Sequence, residues 1–240
     1  MRSAELAKRN LKEIVRDPLS LGLTIALPVA LLLILQGLGD VDEFFSPTML
    51  APGIALFGFV MLMFSSAMIL ARDRETELFS RLLTTPLSAK EFVAAYSLPY
   101  ITIAIIQGLV VFAVAAILGI DVEGSALVVA IILLAMAVFY VALGMIFGSL
   151  LRVAPLSGAY SAVLLITIFA GAWFDVEAIG GLLVTVENLL PFTHALDAMR
   201  QVLGEGESLS AVATDIYWVL AYTVAAIAGA GFAFQRRMQE

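Results

Sequence analysis

Six long runs of apolar residues, separated by shorter polar segments, dominate the chain. They cover residues 19–38, 50–71, 92–118, 126–150, 153–174 and 213–235. A helix needs about 20 apolar residues to cross a membrane, and each run is of that order. The ten-residue alternation of polar and apolar positions that is typical of a membrane barrel does not occur. The pattern predicts an all-α polytopic membrane protein, with six transmembrane helices in a single membrane domain that covers residues 1–240.

The positions of Lys and Arg predict how these helices are oriented. All but one of the 13 Lys and Arg residues fall in the N-terminal segment, the segment 72–91, the turn after the fourth run and the C-terminus. With six spans these four regions lie on the same side of the membrane. Cytoplasmic loops are enriched in Lys and Arg. We therefore expect a multi-pass protein of the cytoplasmic (inner) membrane, with both termini in the cytoplasm.

Composition excludes several classes of protein and site. The apolar fraction is 62% and the mean hydropathy is +1.03, so the bilayer must serve as solvent for much of the surface. The net charge of −7 leaves no basic patch for nucleic acid, and the chain has no cysteine. His194, the only histidine, has no clustered ligands that would indicate a metal site. Because no phosphate-binding loop is present, we expect no cofactor on this chain and no enzymatic activity of its own.

Two polar segments on the predicted cytoplasmic side have helical patterns. Residues 1–18 predict an interfacial amphipathic helix, although a basic flank that only fixes topology would look similar. The apolar face of this helix consists of Ala4, Ala7, Leu11, Ile14 and Val15. The segment 72–91 predicts a short helix, followed by a capping box from Ser88 to Glu91, with Leu87 and Phe92 as a hydrophobic staple. The third span therefore has a defined start.

Two further patterns concern packing. Residues 175–212 are too long for a turn and too apolar for a solvated loop, and they predict an outer helical hairpin broken at Pro191. Gly144 and Gly148 lie on one face of the fourth span, where small residues let helices approach closely. This face suits packing within one subunit or packing between two copies.

Uncharged polar residues are the only candidates for a substrate path inside the spans. No run carries a charge at its middle, which disfavours an ion-coupled carrier. Ser65, Ser66 and Gln107 are candidates for the path, and polar contacts between helices are the alternative role for them.

With these residues in view, the chain resembles the permease subunit of type-2 ABC exporters. The order of elements is similar to that of the family over nearly the whole length. The segment 72–88 is also similar to the family's, with its Leu82-Leu83 pair and its Thr-Pro-Leu-Ser ending. A third similarity is Leu190-Pro191-Phe192-Thr193 followed by Arg200. The family commonly has Gly-Thr where Glu77-Leu78 stand, and Gly-Lys where Ala95-Tyr96 stand.

The resemblance implies that ATP is bound by one subunit and that the membrane path is formed by another. The segment 72–91 would be a coupling helix seated in a separate ATP-binding cassette subunit, which would hold ATP and Mg. The residues implied in this contact are Arg72, Arg74, Glu75, Leu78, Phe79, Leu82 and Pro86. Pro191, Thr193 and Arg200 would form an outer gate. A second copy of the permease, or a paralogue, would complete the exporter.

The cargo implied by the resemblance is a hydrophobic or amphipathic molecule. Relatives move lipids, drugs, and lipid-linked or polysaccharide chains. Two alternatives from other classes stay open at this point. One is an ATP-independent channel or ion-coupled carrier, and the other is a membrane scaffold that transports nothing.

Overall fold

The computed structural model describes residues 2–39, 41–76, 88–173 and 189–238, and every regular element in those ranges is a helix. These described ranges contain eight α-helices. They are α1 (Arg2–Val15), α2 (Pro18–Gln36), α3 (Pro47–Arg74), α4 (Ala89–Ile117), α5 (Ala126–Leu150), α6 (Leu156–Thr167), α7 (Pro191–Gly204) and α8 (Ala213–Met238). A 3-10 helix, Glu43–Phe45, precedes α3, and a π-helix, Ile168–Ala172, continues α6.

The helix lengths agree with a polytopic membrane protein. Five helices of the described chain are long and apolar enough to cross a membrane, namely α2, α3, α4, α5 and α8. The fifth predicted span, 153–174, is shorter in the structure. It consists of the 12 residues of α6 and five π-helical residues, which together rise about 25 Å, less than the roughly 30 Å hydrocarbon core. The all-α polytopic prediction is confirmed, and the total of six spans, which depends on the segment 153–174, stays a prediction.

Local capping residues fix the starts of three helices. The Asp17 carboxylate accepts a hydrogen bond from the Ser20 backbone at 3.1 Å, and Pro18 takes the first turn of α2. Ser46 caps α3 in the same way. The predicted capping box at the start of α4 is confirmed, because Ser88 and Glu91 satisfy each other's backbone N–H groups. The predicted staple residue Leu87 lies outside the described residues.

Helix α3 lies at the centre of the bundle. Of its most apolar 18-residue window, 78% is buried, whereas the corresponding figure for α2 is 17%. Gly144 of α5 lies against Ser66 and Met63 of α3, and Gly148 lies against Ala67. The small-residue face of α5 therefore packs on α3 within the same subunit, while much of α2 is left for lipid or for another chain.

The two ends of the bundle differ in charge, and they are named here accordingly. The basic end holds α1, the C-terminal ends of α3, α5 and α8, and the start of α4. The acidic end holds α7, the 3-10 helix, and the starts of α3, α5 and α8. The described residues of the predicted coupling segment lie at the basic end, and the predicted gate residues lie at the acidic end.

Candidate functional site

A buried carboxylate joins three helices at the basic end. Asp73 is 7% exposed and lies at the end of α3. One guanidinium nitrogen of Arg9, on α1, donates to both of its oxygens, at 2.9 and 2.8 Å. The Tyr96 hydroxyl, on α4, donates to the same carboxylate. Burial by itself would lower the pKa of the Arg9 guanidinium, but the hydrogen bond and charge of Asp73 outweigh it, and the pKa is raised.

Helix α1 packs on α4 through contacts that the sequence did not predict. Leu6 and Asn10 are buried against the bundle, and the Asn10 side chain donates to the Ala95 carbonyl at 3.3 Å. Leu11 and Val15, which were predicted on the apolar face of an interfacial helix, are 40% and 56% exposed. The apolar positions of α1 are thus divided between the protein core and a second, outward face, which suits a helix at a membrane surface.

The two residues after Asp73 hold the turn between α5 and α6. The Arg74 guanidinium donates to the carbonyl oxygens of Gly148 and, at 3.2 Å, Leu151. The Glu75 carboxylate accepts from the Val153 backbone N–H at 3.2 Å. Arg74 therefore satisfies carbonyl groups that the end of α5 leaves without a helical partner. In this structure both predicted coupling residues make contacts within the chain.

The remaining predicted coupling residues are placed less fully. Arg72 is exposed at the basic end. Leu78, Phe79, Leu82 and Pro86 belong to residues 77–87, which lie outside the described part of the chain. Asp73, Arg9 and Tyr96 were absent from the predicted site. One sequence signal could have pointed to Asp73. It is a carboxylate directly after an apolar run, where a charged group that becomes buried needs a hydrogen-bonding or oppositely charged partner.

A cleft of about 310 Å³ opens at the basic end between α1, α2, α3 and α4. The charged residues Glu13, Asp17 and Arg72 lie at one end of it, and apolar and uncharged polar residues from α2, α3 and α4 line the rest. Ser65 lines this cleft, and its carbonyl accepts from the Tyr100 hydroxyl at 3.1 Å. The cleft therefore combines a charged mouth with an uncharged interior of mixed polarity.

The other two predicted path residues are buried away from any described cleft. The Ser66 hydroxyl is fully buried and donates to the Met63 carbonyl at 2.8 Å. Gln107 is also fully buried, and neither atom of its amide has a partner among the described residues. Its side chain lies against Gly58, where a Cβ atom would collide with the amide. The structure thus brings only Ser65 into an open cleft.

Arg200 joins three elements at the acidic end. Its Nε donates to the Met49 carbonyl of α3 at 3.0 Å, and an Nη donates to the Gly171 carbonyl at 2.8 Å. The guanidinium also lies over the Phe44 ring, 5.0 Å from its centroid. Gly171 has a φ of 91°, which favours glycine and ends the π-helix. The Thr193 hydroxyl donates to the neighbouring Ala170 carbonyl at 3.4 Å.

Two of the predicted gate residues therefore stabilise the break that follows α6. The third, Pro191, occupies the first turn of α7, where its missing N–H costs nothing. His194 lies one turn away, with its Nδ1 2.7 Å from Asp215 of α8 and its ring stacked on Trp218 at 5.3 Å. The observed helix α7 confirms the helix predicted from Thr193 to Leu203. The first half of the predicted hairpin, up to residue 188, lies outside the described residues.

Comparison with known families agrees with this architecture. The model of the ABC-2 type transporter family matches residues 4–203, which is most of the chain. Among curated proteins, none matches the chain. The matched range includes α1 from residue 4 onward, the segment 72–91 and the three predicted gate residues, Pro191, Thr193 and Arg200. The chain therefore belongs to the ABC-2 type transporter family of membrane permeases.

Proposed function

We propose that this chain is the permease subunit of an ATP-driven exporter in the cytoplasmic membrane, with both termini in the cytoplasm. It exports a hydrophobic or amphipathic molecule. A separate ATP-binding cassette subunit holds ATP and Mg and engages the segment 72–91. A second copy of the permease, or a paralogue, completes the translocation path between them.

One observation carries this proposal. Three consecutive residues at the start of the segment 72–91 each contact a different element of the basic end. Asp73 binds α1 and α4, Arg74 binds the end of α5, and Glu75 binds the turn before α6. A force applied to this segment therefore reaches three other helices, and the turn before α6, through direct hydrogen bonds. A loop that served only to satisfy the positive-inside rule would not need such contacts.

Helix α3 provides a path from this segment to the opposite end. Its 28 residues form one continuous helix from Pro47 to Arg74, which corresponds to about 42 Å. Its first turn supplies the Met49 carbonyl that Arg200 binds. A tilt of α3 driven at the basic end would change the Met49–Arg200 distance. The hydrogen bonds of Arg200 would thus open and close in step with ATP binding on the partner subunit.

The cleft that contains Ser65 supports an amphipathic substrate. Arg72 lines it, and its mouth carries charge while its interior combines apolar residues with uncharged polar ones. Such a cleft suits a molecule that has a polar head and a hydrophobic body. The charges at the mouth are of both signs, so they do not select one class of headgroup. Loading from the basic end and release at the acidic end would follow the direction of export.

Loss of binding to the partner subunit tests the proposal directly. Phe79 and Leu82 are apolar residues in the segment assigned to the partner's cleft. We expect the double variant Phe79→Asp with Leu82→Asp to lose co-purification with the ATP-binding subunit. Two carboxylates cannot enter an apolar cleft that offers no group to pair with their charge. A matched control is Val122→Asp with Leu209→Asp, whose parent residues are 52% and 57% exposed at the acidic end. Retained binding by the first variant would overturn the assignment.

A further inference from the structure

A groove of about 830 Å³ runs between α4 and α8 at the basic end, with residues of α5 as its floor. Its rims include Leu98 and Phe232, which are 55% and 68% exposed. On the buried side the two helices meet through the stacked rings of Phe92 and Phe234, whose centroids are 4.2 Å apart. The groove is therefore closed on the side of the protein core and open on the outer side of the bundle, which faces lipid.

The polarity of the groove changes along its length. Ser88 and Lys90, at the start of α4, and Gln235, near the end of α8, lie at the basic end. The deeper part is lined by apolar residues such as Ile101 and Ile227. Among the described residues that line the groove, Lys90 is the only charged one, and it is exposed. A cation thus lies at the mouth of an apolar channel.

The length of the groove corresponds to one leaflet of a membrane. Lys90 and Ile101 are separated by 11 positions of a continuous helix, which rise about 17 Å. Half of the hydrocarbon core is about 15 Å. A transmembrane helix from another chain would need a groove along the full thickness, so its dimensions favour a lipid over a second protein.

Small residues keep the groove open. Its walls include Ala94, Ala142, Ala228 and Gly231. A Cβ atom built on Gly231 would meet nothing within 4 Å. Small residues at such positions normally allow two helices to pack directly. Here the space they leave stays unfilled by the chain, and it has the shape of a site for acyl chains.

We propose that this groove binds one anionic phospholipid, with its phosphate at Lys90 and its acyl chains along the small-residue walls. The single positive charge at the mouth selects an anionic headgroup, and the apolar interior accepts the chains. This site is separate from the cleft that contains Ser65 and does not depend on the proposed transport activity. Because the lipid would contact both α4 and α8, its presence would hold the two helices at a fixed separation.

Native mass spectrometry of the purified full-length chain, titrated with phosphatidylglycerol and with phosphatidylcholine, tests the site. We expect one phosphatidylglycerol to bind with an affinity about fivefold higher than that of phosphatidylcholine, the factor for one lysine near an anionic headgroup. Lys90→Gln should abolish this preference and Lys90→Arg should retain it. Gly231→Phe should lose the bound lipid, because the ring fills the groove from a position with no clashing neighbour.

Two control variants separate the groove from general effects. Lys12→Gln removes the same charge from an exposed position of α1 at the same end, and Gly22→Phe adds the same ring to an exposed position of α2. Both should bind lipid as the parent chain does. An equal loss of preference in Lys90→Gln and Lys12→Gln, or an unchanged lipid count in Gly231→Phe, would overturn the proposal. Dissociation of a protein dimer by Gly231→Phe without loss of lipid would overturn it in favour of a protein interface.

Discussion

Arg9 and Asp73 lie 64 positions apart in the chain, yet one guanidinium nitrogen contacts both carboxylate oxygens, at 2.9 and 2.8 Å. The contact fixes the N-terminal helix to the end of the central helix α3. The Tyr96 hydroxyl adds α4 to the same carboxylate. Asp73 is thus the point at which three helices, α1, α3 and α4, are held together at the basic end.

Removing the charge of Asp73 should loosen this junction. In Asp73→Asn the Arg9 guanidinium loses its ionised partner, and we expect the free energy of unfolding to fall by about 1–3 kcal/mol, since Arg9 is partly exposed. In the assembled transporter we also expect ATP hydrolysis to persist while transport falls. Reversible unfolding in mixed micelles and paired hydrolysis and transport assays measure the two effects.

Glu13→Gln is the matched control, because Glu13 also pairs with Arg9 but its side chain is 52% exposed. Its effect should stay below about 0.5 kcal/mol. A double-mutant cycle of Arg9→Gln and Asp73→Asn should give a coupling energy of at least about 1 kcal/mol. Additive effects of the two substitutions would show that the contact contributes nothing to the junction.

Features that depend on neighbouring residues could be predicted from the sequence. The apolar runs predicted the long helices, and the pairing of Ser88 with Glu91 predicted the start of α4, because a cap involves only residues three positions apart. The helix predicted from Thr193 to Leu203, between Pro191 and the glycines that follow, corresponds to the observed α7, which begins at Pro191. The family assignment from residues 72–88 and 190–200 is confirmed by the matching family model.

Features that depend on long-range contacts could not be predicted in this way. The sequence does not distinguish Arg9 from the other basic residues of α1, and its role is seen only in the contact with Asp73. The sequence pattern predicted an apolar face of α1 for the membrane surface, but it gave no sign that Leu6 and Asn10 are buried, because that burial depends on the distant helix α4. Nothing in the uniform apolarity of residues 153–174 signalled the π-helix, which depends on donors supplied by Arg200 and Thr193.

The contact between α5 and α3 should tolerate no added methyl group. A Cβ atom on Gly144 would collide with the Ser66 hydroxyl and lie 2.5 Å from the Met63 carbonyl oxygen. We expect Gly144→Ala to lower the free energy of unfolding by about 1–3 kcal/mol. Gly158→Ala on α6, where a Cβ meets nothing within 4 Å, should be neutral or slightly stabilising. An effect of Gly144→Ala that vanished on dilution would instead indicate packing between subunits.

The buried amide of Gln107 should lower the free energy of unfolding, and we expect it to serve a functional role. Its fully buried amide has no partner among the described residues, and such a group is unfavourable by about 1–3 kcal/mol. We expect Gln107→Leu to raise the free energy of unfolding and, if the amide meets the substrate during transport, to lower the transport rate. Ser66→Ala, which removes a satisfied hydroxyl, is the control and should not stabilise the chain. Destabilisation by Gln107→Leu would contradict this interpretation.

Arg200 should hold the acidic end closed. Lysine cannot bind two carbonyls and lie over a ring at once, so Arg200→Lys should weaken the contacts to Met49, Gly171 and Phe44. The chain has no cysteine, so a single Ala170→Cys substitution, at a position that is 2% exposed, reports opening through its rate of maleimide labelling. We expect about a tenfold faster rate with Arg200→Lys, and no change with Arg152→Lys at the basic end. Equal rates in all three proteins would exclude Arg200 as a latch.

The dependence of transport on the ATP-binding subunit can be measured in proteoliposomes. The permease would be reconstituted alone and with its partner, and efflux of a panel of lipids and amphipathic drugs would be followed with ATP, without ATP and with an imposed ion gradient. We predict movement of solute only when both the partner and ATP are present, and its loss in the variant Phe79→Asp with Leu82→Asp. Movement of solute by the permease alone, driven by an ion gradient or by none, would contradict the assignment of this chain as a gate that an external ATPase drives.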